Sequence, residues 1–244
     1  MRTLEITTKI GCSNNCLCCP QDVLSKAYAQ SKAEMTFENF SLILANTPID
    51  VRIDFSGFCE PFLNKEAAKM ITHAAMLGYD VALYTTLVGI TKNSYELLFD
   101  IGLGLMVVVH LPDSKVFTYD SKKYLEYLMV WKDLEIPCEY MSLGEVDKSL
   151  TSALDNVPIT KSSILSRAGN VNGEKVAAKG KVESCAICGD EYSHNVVLPN
   201  GDVFLCCMDY GLEHKIGNLY TDNYDKLSRS CEYSLCKKCE WAIL

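Results

Sequence analysis

Apolar and polar residues alternate along the first two thirds of the chain with two different periods. Short apolar runs rich in β-branched residues predict strands, and the longer segments between them, with apolar residues every three or four positions, predict helices. The predicted strands are Leu4–Thr8, Val51–Ser56, Val81–Thr85, Leu105–His110, Cys138–Leu143 and Ile159–Leu165, and the predicted helices are Thr36–Ala45, Asn64–Leu77, Lys92–Ile101, Lys122–Leu134 and Val146–Leu154. This alternation is typical of a parallel sheet with right-handed crossovers.

Six strand–helix units predict an α/β fold, a partial (β/α)6 barrel of the TIM type, over residues 1–169. Because a closed barrel of this type has eight units, we expect an open one. In such sheets the chemistry gathers at the carboxyl ends of the strands. Residues that directly follow a predicted strand are therefore the first candidates for function.

The pattern changes after Gly169. Residues 170–181 are rich in Gly, Ala and Lys and are typical of a linker. Farther on, "HNVVLPNGDVFLCC" predicts a β-hairpin with its turn at Asn200-Gly201, a dipeptide suited to a type I′ turn. Seven further cysteines surround this hairpin, so residues 170–244 predict a second, small unit stapled by metal.

Composition narrows the classes of function. The net charge is −8 and no run of Lys or Arg offers a basic stripe, which argues against a nucleic-acid partner. No apolar run reaches the ~20 residues of a membrane span, and the N-terminus lacks the apolar stretch of a secretory signal. We therefore expect a cytoplasmic protein with no membrane partner. Thirteen cysteines in such a protein indicate metal or redox chemistry rather than disulfides.

Four of these cysteines lie in "GCSNNCLCCP", directly after the first predicted strand. Cys12, Cys16 and Cys19 have C-x3-C-x2-C spacing, and thiolates are soft ligands that suit iron. Three ligands for a four-iron cluster leave one iron open to a substrate or cofactor. Zinc ordinarily needs a fourth ligand, and Cys18 is expected to point away from Cys19. An unrelated zinc or redox cluster is the alternative.

The spacing of these three cysteines resembles the signature of the radical S-adenosylmethionine superfamily. The resemblance implies that Cys12, Cys16 and Cys19 hold a 4Fe-4S cluster whose open iron binds S-adenosyl-L-methionine. Reductive cleavage of that cofactor then gives a 5′-deoxyadenosyl radical, which abstracts hydrogen from a substrate. The family has an aromatic or apolar residue just before the third cysteine, where this chain has Cys18.

A second segment, "DFSGFCEPFLNKE", resembles the Gly-rich stretch that ends in Glu-Pro after the family's second strand. The resemblance implies that Glu60 accepts a hydrogen bond from the cofactor's ammonium and that Gly57 lets the backbone approach the cofactor. The family commonly has glycine where Cys59 stands. Taken alone, Glu60 also suits a helix N-terminus.

Fainter similarities add candidates for the same site. The segment "LYTTLVG" is similar to one that runs past the cofactor's ribose, which makes Thr85 and Thr86 candidate contacts. Arg167 is a candidate partner for the cofactor's carboxylate. His110 and Cys207 are candidate catalytic residues. Ordinary strand-end threonines, a surface arginine and a structural histidine are the alternatives.

The second cysteine set admits zinc, because Cys185-x2-Cys188 and Cys236-x2-Cys239 are two knuckle-like pairs. However, "CGDEYSHNVVLPNGDVFLCCMDYGLEHKIGNL" resembles the SPASM/twitch extension of radical S-adenosylmethionine enzymes, of which the shorter twitch form carries one auxiliary 4Fe-4S cluster. The resemblance implies that the ligands are Cys188, Cys206, Cys236 and Cys239, with Cys185 and Cys231 as competitors.

The family supports many reactions. The reading favoured here is dehydrogenation of an alcohol on a small polyhydroxylated substrate, a sugar or an aminocyclitol. The auxiliary cluster would then relay an electron, and an external flavodoxin- or ferredoxin-like protein would be the one-electron reductant. Alternatives are an epimerase with a cysteine hydrogen donor, a peptide-modifying maturase, and a non-enzymatic iron–sulfur carrier or zinc-stapled interaction protein. The sequence names neither the general base nor the oligomeric state.

Overall fold

A computed structural model describes residues 1–29, 33–99, 104–114, 117, 119–133, 135–155, 157–171, 180–229 and 234–244. They form one nine-stranded sheet, helices on its outer face and a second sheet of two strands. The strands are β1 (Thr3–Ile6), β2 (Arg52–Phe55), β3 (Val81–Thr85), β4 (Leu105–His110), β5 (Glu139–Ser142), β6 (Ile159–Lys161), β7 (Ser184–Cys185), β8 (His194–Val197), β9 (Asp202–Phe204), β10 (Lys215–Asn218) and β11 (Ala242–Ile243). The helices are α1 (Gln21–Ala27), α2 (Phe37–Ala45), α3 (Ala67–Met76), α4 (Lys92–Phe99), α5 (Ser121–Asp133) and α6 (Lys148–Ala153).

The first six strands pair in chain order, and every neighbouring pair among them is parallel. The predicted fold class, an open partial barrel of the TIM type, is confirmed. Alternate residues of each strand face opposite sides of the sheet. Leu4 and Ile53 are fully buried in the main apolar core beneath the helices, whereas Glu5 and Asp54 line a cavity on the other side. The two faces of the sheet thus differ sharply in polarity.

Helix ends follow the local signals. Thr36 caps α2, since its side chain accepts a hydrogen bond from the Asn39 N–H at 3.3 Å. The unpredicted helix α1 follows the first cysteine loop, and its single buried residue, Leu24, explains why no apolar period marks it. Ile101 and Leu134, the predicted ends of two helices, lie outside the described residues.

Among the residues described, no helix has the length and apolar character needed to cross a membrane.

The hairpin of the second unit joins the main sheet. Strand β8 pairs in parallel with β1, with Leu4 opposite Asn195, and β9 and β10 continue the sheet outward in antiparallel order. The open edge of β1 would otherwise present unpaired N–H and C=O groups. Residues after 180 therefore complete the sheet begun by the barrel. The boundary between residues 169 and 170 stays a prediction, and most of the predicted linker, residues 172–179, lies outside the description.

The turn of this hairpin differs from the prediction. A type I′ turn needs positive φ at both central residues, but of Asn200 and Gly201 only Gly201 has it, with φ of +82°. The Gly201 N–H donates to the carbonyl oxygen of Leu198 at 2.9 Å, so Pro199 and Asn200 occupy the centre of the turn. Proline fixes φ near −65°, which is incompatible with the mirror-image turn type.

Tyr224 fastens the hairpin to the barrel. Its side chain is fully buried, and its hydroxyl donates a hydrogen bond to the carbonyl oxygen of Ser193 at 3.1 Å. The carbonyl oxygen of Thr3 lies 3.4 Å from the same hydroxyl. The guanidinium carbons of Arg2 and Arg229 lie 5.5 and 4.4 Å from the ring centroid. One aromatic side chain thus bonds to residues at the start of both β1 and β8.

Gly57 allows the loop after β2 to lie directly on the end of β1. A Cβ atom on Gly57 would come within 2.5 Å of the Thr7 hydroxyl oxygen and 2.7 Å of the Ile6 carbonyl oxygen. Its φ of +41° is also in the left-handed region. The adjacent Phe58 N–H donates to the Thr7 hydroxyl at 3.1 Å. Contact between two segments of this chain is what requires glycine here.

We predict that Tyr224→Ala lowers the free energy of unfolding by about 3–5 kcal/mol, the usual loss for a large aromatic residue removed from a core. Urea-induced unfolding followed by circular dichroism measures the change. Phe99→Ala removes an aromatic side chain that is 62% exposed and should change stability by less than about 0.5 kcal/mol. Equal effects of the two substitutions would contradict the role given to Tyr224.

We predict that Gly57→Ala destabilises the protein by more than about 1 kcal/mol, because alanine is strained at positive φ and its Cβ meets backbone atoms. The matched control is Gly104→Ala, since Gly104 has open space around the position of a Cβ atom and no positive φ. Thermal unfolding of both variants gives the comparison. A Gly57→Ala protein as stable as the control would show that the loop is free to move away from β1.

Candidate active site

A cavity of about 460 Å³ lies inside the open barrel, against the polar face of the sheet. Residues at and beyond the carboxyl ends of β1 to β5 line it, together with residues that follow β6 and β9. The predicted site residues that line it are Cys12, Cys16, Cys19, Gly57, Glu60, Thr85, Thr86, His110, Arg167, Cys188, Cys206, Cys207 and Cys239. Both cysteine sets therefore face one space, although more than 160 residues separate them in the chain.

The first cysteine loop places its thiols close together. A turn in which the Cys19 N–H donates to the Cys16 carbonyl oxygen at 3.0 Å brings the sulfurs of Cys18 and Cys19 to 3.8 Å. The expectation that Cys18 points away from Cys19 is wrong, because the chain is turning here and not extended. Cys18 packs with Val88 and Phe117 in a small apolar cluster.

Donors and positive charge surround two of the predicted ligands. Hydrogen bonds from Cys16 and Cys18 lower the pKa of Cys19, and Arg167 lowers it further. Burial raises the pKa of Cys12, although backbone N–H groups, one of them from Glu60, donate to its thiol and oppose this. Several soft sulfur atoms at one end of an open cavity form a donor set that fits an iron–sulfur cluster.

Glu60 is buried and fully hydrogen-bonded. One carboxylate oxygen accepts from the Thr85 hydroxyl at 2.7 Å and the Phe62 N–H at 3.1 Å. The other accepts from the Thr86 N–H at 2.6 Å and the Thr86 hydroxyl at 2.7 Å. Burial raises the pKa of Glu60, and these hydrogen bonds oppose the rise. Thr85 and Thr86 thus hold the carboxylate in place at the edge of the cavity.

Two residues at this end were not found from the sequence. The Asn14 side chain donates to the Thr86 hydroxyl at 2.8 Å, which links the cysteine loop to the Glu60 site. The Tyr210 hydroxyl is hydrogen-bonded to the Cys19 thiol, and its ring lies 4.6 Å from that of Phe58. Tyr210 follows β9, so a residue of the second unit contacts the first cysteine loop. Nothing in the local sequence marks that contact.

Arg167 extends between the two cysteine sets. Its Nη1 lies 3.9 Å from the sulfur of Cys207 and 4.0 Å from that of Met208. Its buried Nε has no hydrogen-bond partner within the described part of the chain. Burial would lower the pKa of Arg167, but Tyr210 and the nearby thiols outweigh it and raise the value. A charged guanidinium with donor capacity to spare therefore lines the cavity.

His110 stands at the end of β4. Its Nε2 lies 3.6 Å from a carboxylate oxygen of Asp113, which also accepts the Leu143 N–H at 2.8 Å. The Phe117 ring packs edge-on to the imidazole, with 6.0 Å between ring centroids. Burial lowers the pKa of His110, and Asp113 opposes this. A neutral imidazole next to a fixed carboxylate can accept a proton.

Five cysteines of the second set surround one small pocket: Cys185, Cys188, Cys206, Cys236 and Cys239. The Cys188 N–H donates to the Cys185 sulfur at 3.2 Å, and hydrogen bonds from Cys188 lower the pKa of Cys185 to about 6. Cys231 lies outside the described residues. Within the described ranges, no group of three or more His, Cys, Asp or Glu side chains is arranged to hold a single metal ion.

Charged residues form the floor of the cavity. On β1, Glu5 accepts from the Ser56 hydroxyl at 3.0 Å and lies 2.6 Å from Nε2 of His194. On β2, Asp54 accepts two hydrogen bonds from Arg52, at 2.6 and 2.7 Å. These floor residues were not among the candidates that the sequence offered. The available signal was an acidic residue between two apolar ones within each predicted strand.

The comparisons with known proteins agree with this architecture. Residues 185–240 match the model of the SPASM family, an iron–sulfur cluster-binding domain. No match was found among curated protein sequences.

Several solved structures share the fold at low sequence identity. The crystal structure of BtrN in complex with AdoMet and 2-DOIA has a TM-score of 0.62 and 17% identity, covering 98% of this chain and 93% of that chain. Streptococcus suis SuiB bound to precursor peptide SuiA has a TM-score of 0.66 and 11% identity, covering 97% and 69%. Native anSMEcpe with bound AdoMet has a TM-score of 0.62 and 14% identity, covering 98% and 86%.

The resemblance drawn from the sequence motifs is thereby confirmed. Residues 185–240 match the SPASM family of iron–sulfur cluster-binding domains, and the chain as a whole has the fold of the radical S-adenosylmethionine proteins that carry such a domain.

Proposed function

We propose that this protein is a radical S-adenosylmethionine enzyme that dehydrogenates an alcohol on a small polyhydroxylated substrate. The observation that carries the proposal is the single cavity lined by both cysteine sets. A substrate in that cavity would lie between a cofactor loop at one end and an auxiliary centre at the other. A one-electron reductant of the flavodoxin or ferredoxin type would supply electrons from outside.

The chain provides a matching residue for each part of the cofactor. Cys12, Cys16 and Cys19 would hold the first 4Fe-4S cluster. Glu60, kept in place by two threonines, would accept a hydrogen bond from the ammonium group of S-adenosyl-L-methionine in place of the one that it accepts from the Thr86 hydroxyl, and Arg167 would bind the cofactor's carboxylate. When bound, cofactor and clusters supply a radical that abstracts hydrogen and an acceptor for the electron that the substrate then loses.

For the auxiliary 4Fe-4S cluster we propose Cys188, Cys206, Cys236 and Cys239 as ligands. Cys185 lines the same pocket and is the competing ligand. Cys236 differs from the other three, since it lines the small pocket but is absent from the described lining of the large cavity. Four thiolates would fill the four iron positions, which suits a centre that passes electrons and does not bind substrate.

Dehydrogenation also requires a proton acceptor for the substrate hydroxyl, and we propose His110. Its imidazole lines the cavity, and burial keeps it neutral and ready to accept a proton. Asp113, with an oxygen 3.6 Å from Nε2, would stabilise the imidazolium that forms. The overall change is the loss of two hydrogen atoms from the substrate, one from carbon and one from oxygen.

One observation favours a second candidate, a radical epimerase. Cys207 lines the cavity, and its thiol is hydrogen-bonded to Glu5. A thiol in that place could return a hydrogen atom to the opposite face of a substrate carbon. Peptide modification is a third reading, because structures of SuiB and anSMEcpe with the same fold contain peptides.

We predict that the anaerobically reconstituted protein contains about eight irons per chain, four for each cubane cluster. The variant with Cys12, Cys16 and Cys19 all replaced by alanine should contain about four, because the second set is unchanged. Iron and zinc are counted by inductively coupled plasma mass spectrometry. About four irons with one zinc in the wild type would instead indicate that the second set of cysteines holds a structural zinc ion, and dehydrogenation would then lack the proposed electron acceptor.

We predict that the reaction product is lighter than the substrate by two hydrogens and, when it is formed in D2O and returned to H2O to exchange its O–H and N–H groups, carries no deuterium at the reacting carbon. Mass spectrometry of the product measures both. Cys207→Ala should keep this activity, since dehydrogenation needs no thiol donor, and Cys138→Ala serves as the matched thiol control away from the described cavity lining. A product that has the mass of the substrate in H2O and gains one deuterium at the reacting carbon in D2O, and that the wild type and Cys138→Ala form but Cys207→Ala does not, would favour the epimerase instead.

A further inference from the structure

The floor of the cavity holds two carboxylates side by side. Glu5 on β1 and Asp54 on β2 are direct partners in the register of the two parallel strands, so their side chains extend to the same face. Both line the cavity and both are buried, with 6% and 2% of their surface exposed. Like charges opposite one another destabilise a sheet. The negative charges of this pair must therefore be balanced by neighbouring groups, or the pair must serve a function that justifies its cost in stability.

The charges of the two carboxylates are balanced by side chains that lie outside the cavity or at its side. Arg52 binds both oxygens of Asp54, but it is not among the described residues that line the cavity. His194 binds one oxygen of Glu5 from the neighbouring strand β8, the Ser56 hydroxyl binds the other, and the Cys207 thiol is also hydrogen-bonded to Glu5. Burial raises the pKa of Asp54, and the charge of Glu5 adds to the rise. Each carboxylate oxygen of Asp54 retains acceptor capacity after its single bond to Arg52.

A purely structural role for these groups is the simpler explanation, since ion pairs across strands hold a sheet together. However, buried ion pairs add little stability compared with apolar residues of the same shape. Here the groups also face an open cavity, while the core beneath the helices is apolar. Placement at the floor of a ligand-sized space favours recognition.

The charge of the floor restricts what it can bind. A phosphate or carboxylate group would meet two buried carboxylates and lose its own hydration without a partner. Hydroxyl groups can donate to the remaining lone pairs, and an ammonium group adds charge to such hydrogen bonds. Among the residues described as lining the cavity, His194 is bound to Glu5, and the other basic side chain that would attract an anion, Arg167, lies between the cysteine sets, where the proposed function already uses it.

We propose that Glu5 and Asp54 are the specificity-determining residues of the substrate site and select a polyol that carries an amino group and no phosphate. This inference rests on the proposed function, whose substrate class it narrows. The two carboxylates accept hydrogen bonds from the ammonium and an adjacent hydroxyl. They thereby orient the ring beneath the cofactor loop and touch no reacting bond.

The test is equilibrium binding to the reconstituted full chain in the presence of S-adenosyl-L-methionine. Isothermal titration calorimetry compares three probes with one ring: scyllo-inosamine, scyllo-inositol and scyllo-inositol monophosphate. We expect the amine to bind at least about tenfold more tightly than the neutral ring, because a hydrogen bond between charged groups typically raises affinity by that factor. We expect the phosphate to bind most weakly of the three. Glu5→Gln and Asp54→Asn should each reduce the amine preference toward unity.

The control is Asp133→Asn, which removes an exposed carboxylate at the end of α5 and should leave the preference unchanged. Equal affinities for amine and neutral ring, tighter phosphate binding, no binding of any probe, or a preference unaltered in both floor variants would overturn the proposal. Should both variants fail to fold, the order of the three wild-type affinities still decides.

Formation of 5′-deoxyadenosine with dithionite, measured on the same preparations, tests the proposed function separately. If it forms while the amine preference is absent, only the assignment of the floor fails. If 5′-deoxyadenosine never forms while the amine preference is present, the proposed radical chemistry is wrong and the assignment of Glu5 and Asp54 to the binding site stands.

Discussion

The parallel pairing of β1 with β8 is the interaction on which the rest of the structure depends. It closes the open edge of the barrel, and it carries the hairpin of β8 and β9 to the side of the first cysteine loop. Through it His194 reaches Glu5, and the segment after β9 brings Cys207 to the cavity and Tyr210 to Cys19. If the pairing were lost, the two cysteine sets would no longer face a common space. The backbone bonds of a few residues thus decide whether there is one site or two.

A polar interior is the second constraint. The barrel buries Glu5, Asp54 and Glu60, and each must find donors because an unpaired buried charge costs several kcal/mol. Glu60 finds four donors in three residues, whereas Asp54 depends on Arg52 alone among the hydrogen bonds of the described residues. The difference suits two roles: Glu60 is fixed in one orientation, and the floor keeps acceptor capacity for a ligand.

Sequence reasoning found the parts of the molecule whose signals are local. Strand order followed from alternating periods and the cap of α2 from Thr36, and the spacing of Cys12, Cys16 and Cys19 and the Glu-Pro segment pointed to residues that line one cavity. It failed at two places where the chain turns, because the predictions there assumed an extended chain or a different turn. Cys18 lies near Cys19 because the chain bends there, and the turn predicted for Asn200-Gly201 is centred one residue earlier, on Pro199 and Asn200, where the φ of proline does not allow type I′.

By itself, the sequence determined the order of strands and helices, the three-cysteine loop, and the resemblance that implied cofactor and domain type, since these depend on neighbours a few residues apart. Only the tertiary structure decided that one cavity unites both cysteine sets, that Thr85 and Thr86 hold Glu60, and that two carboxylates form its floor. The reason is physical: register between strands far apart in the chain is set by packing and backbone pairing over the whole sheet, which no local pattern encodes.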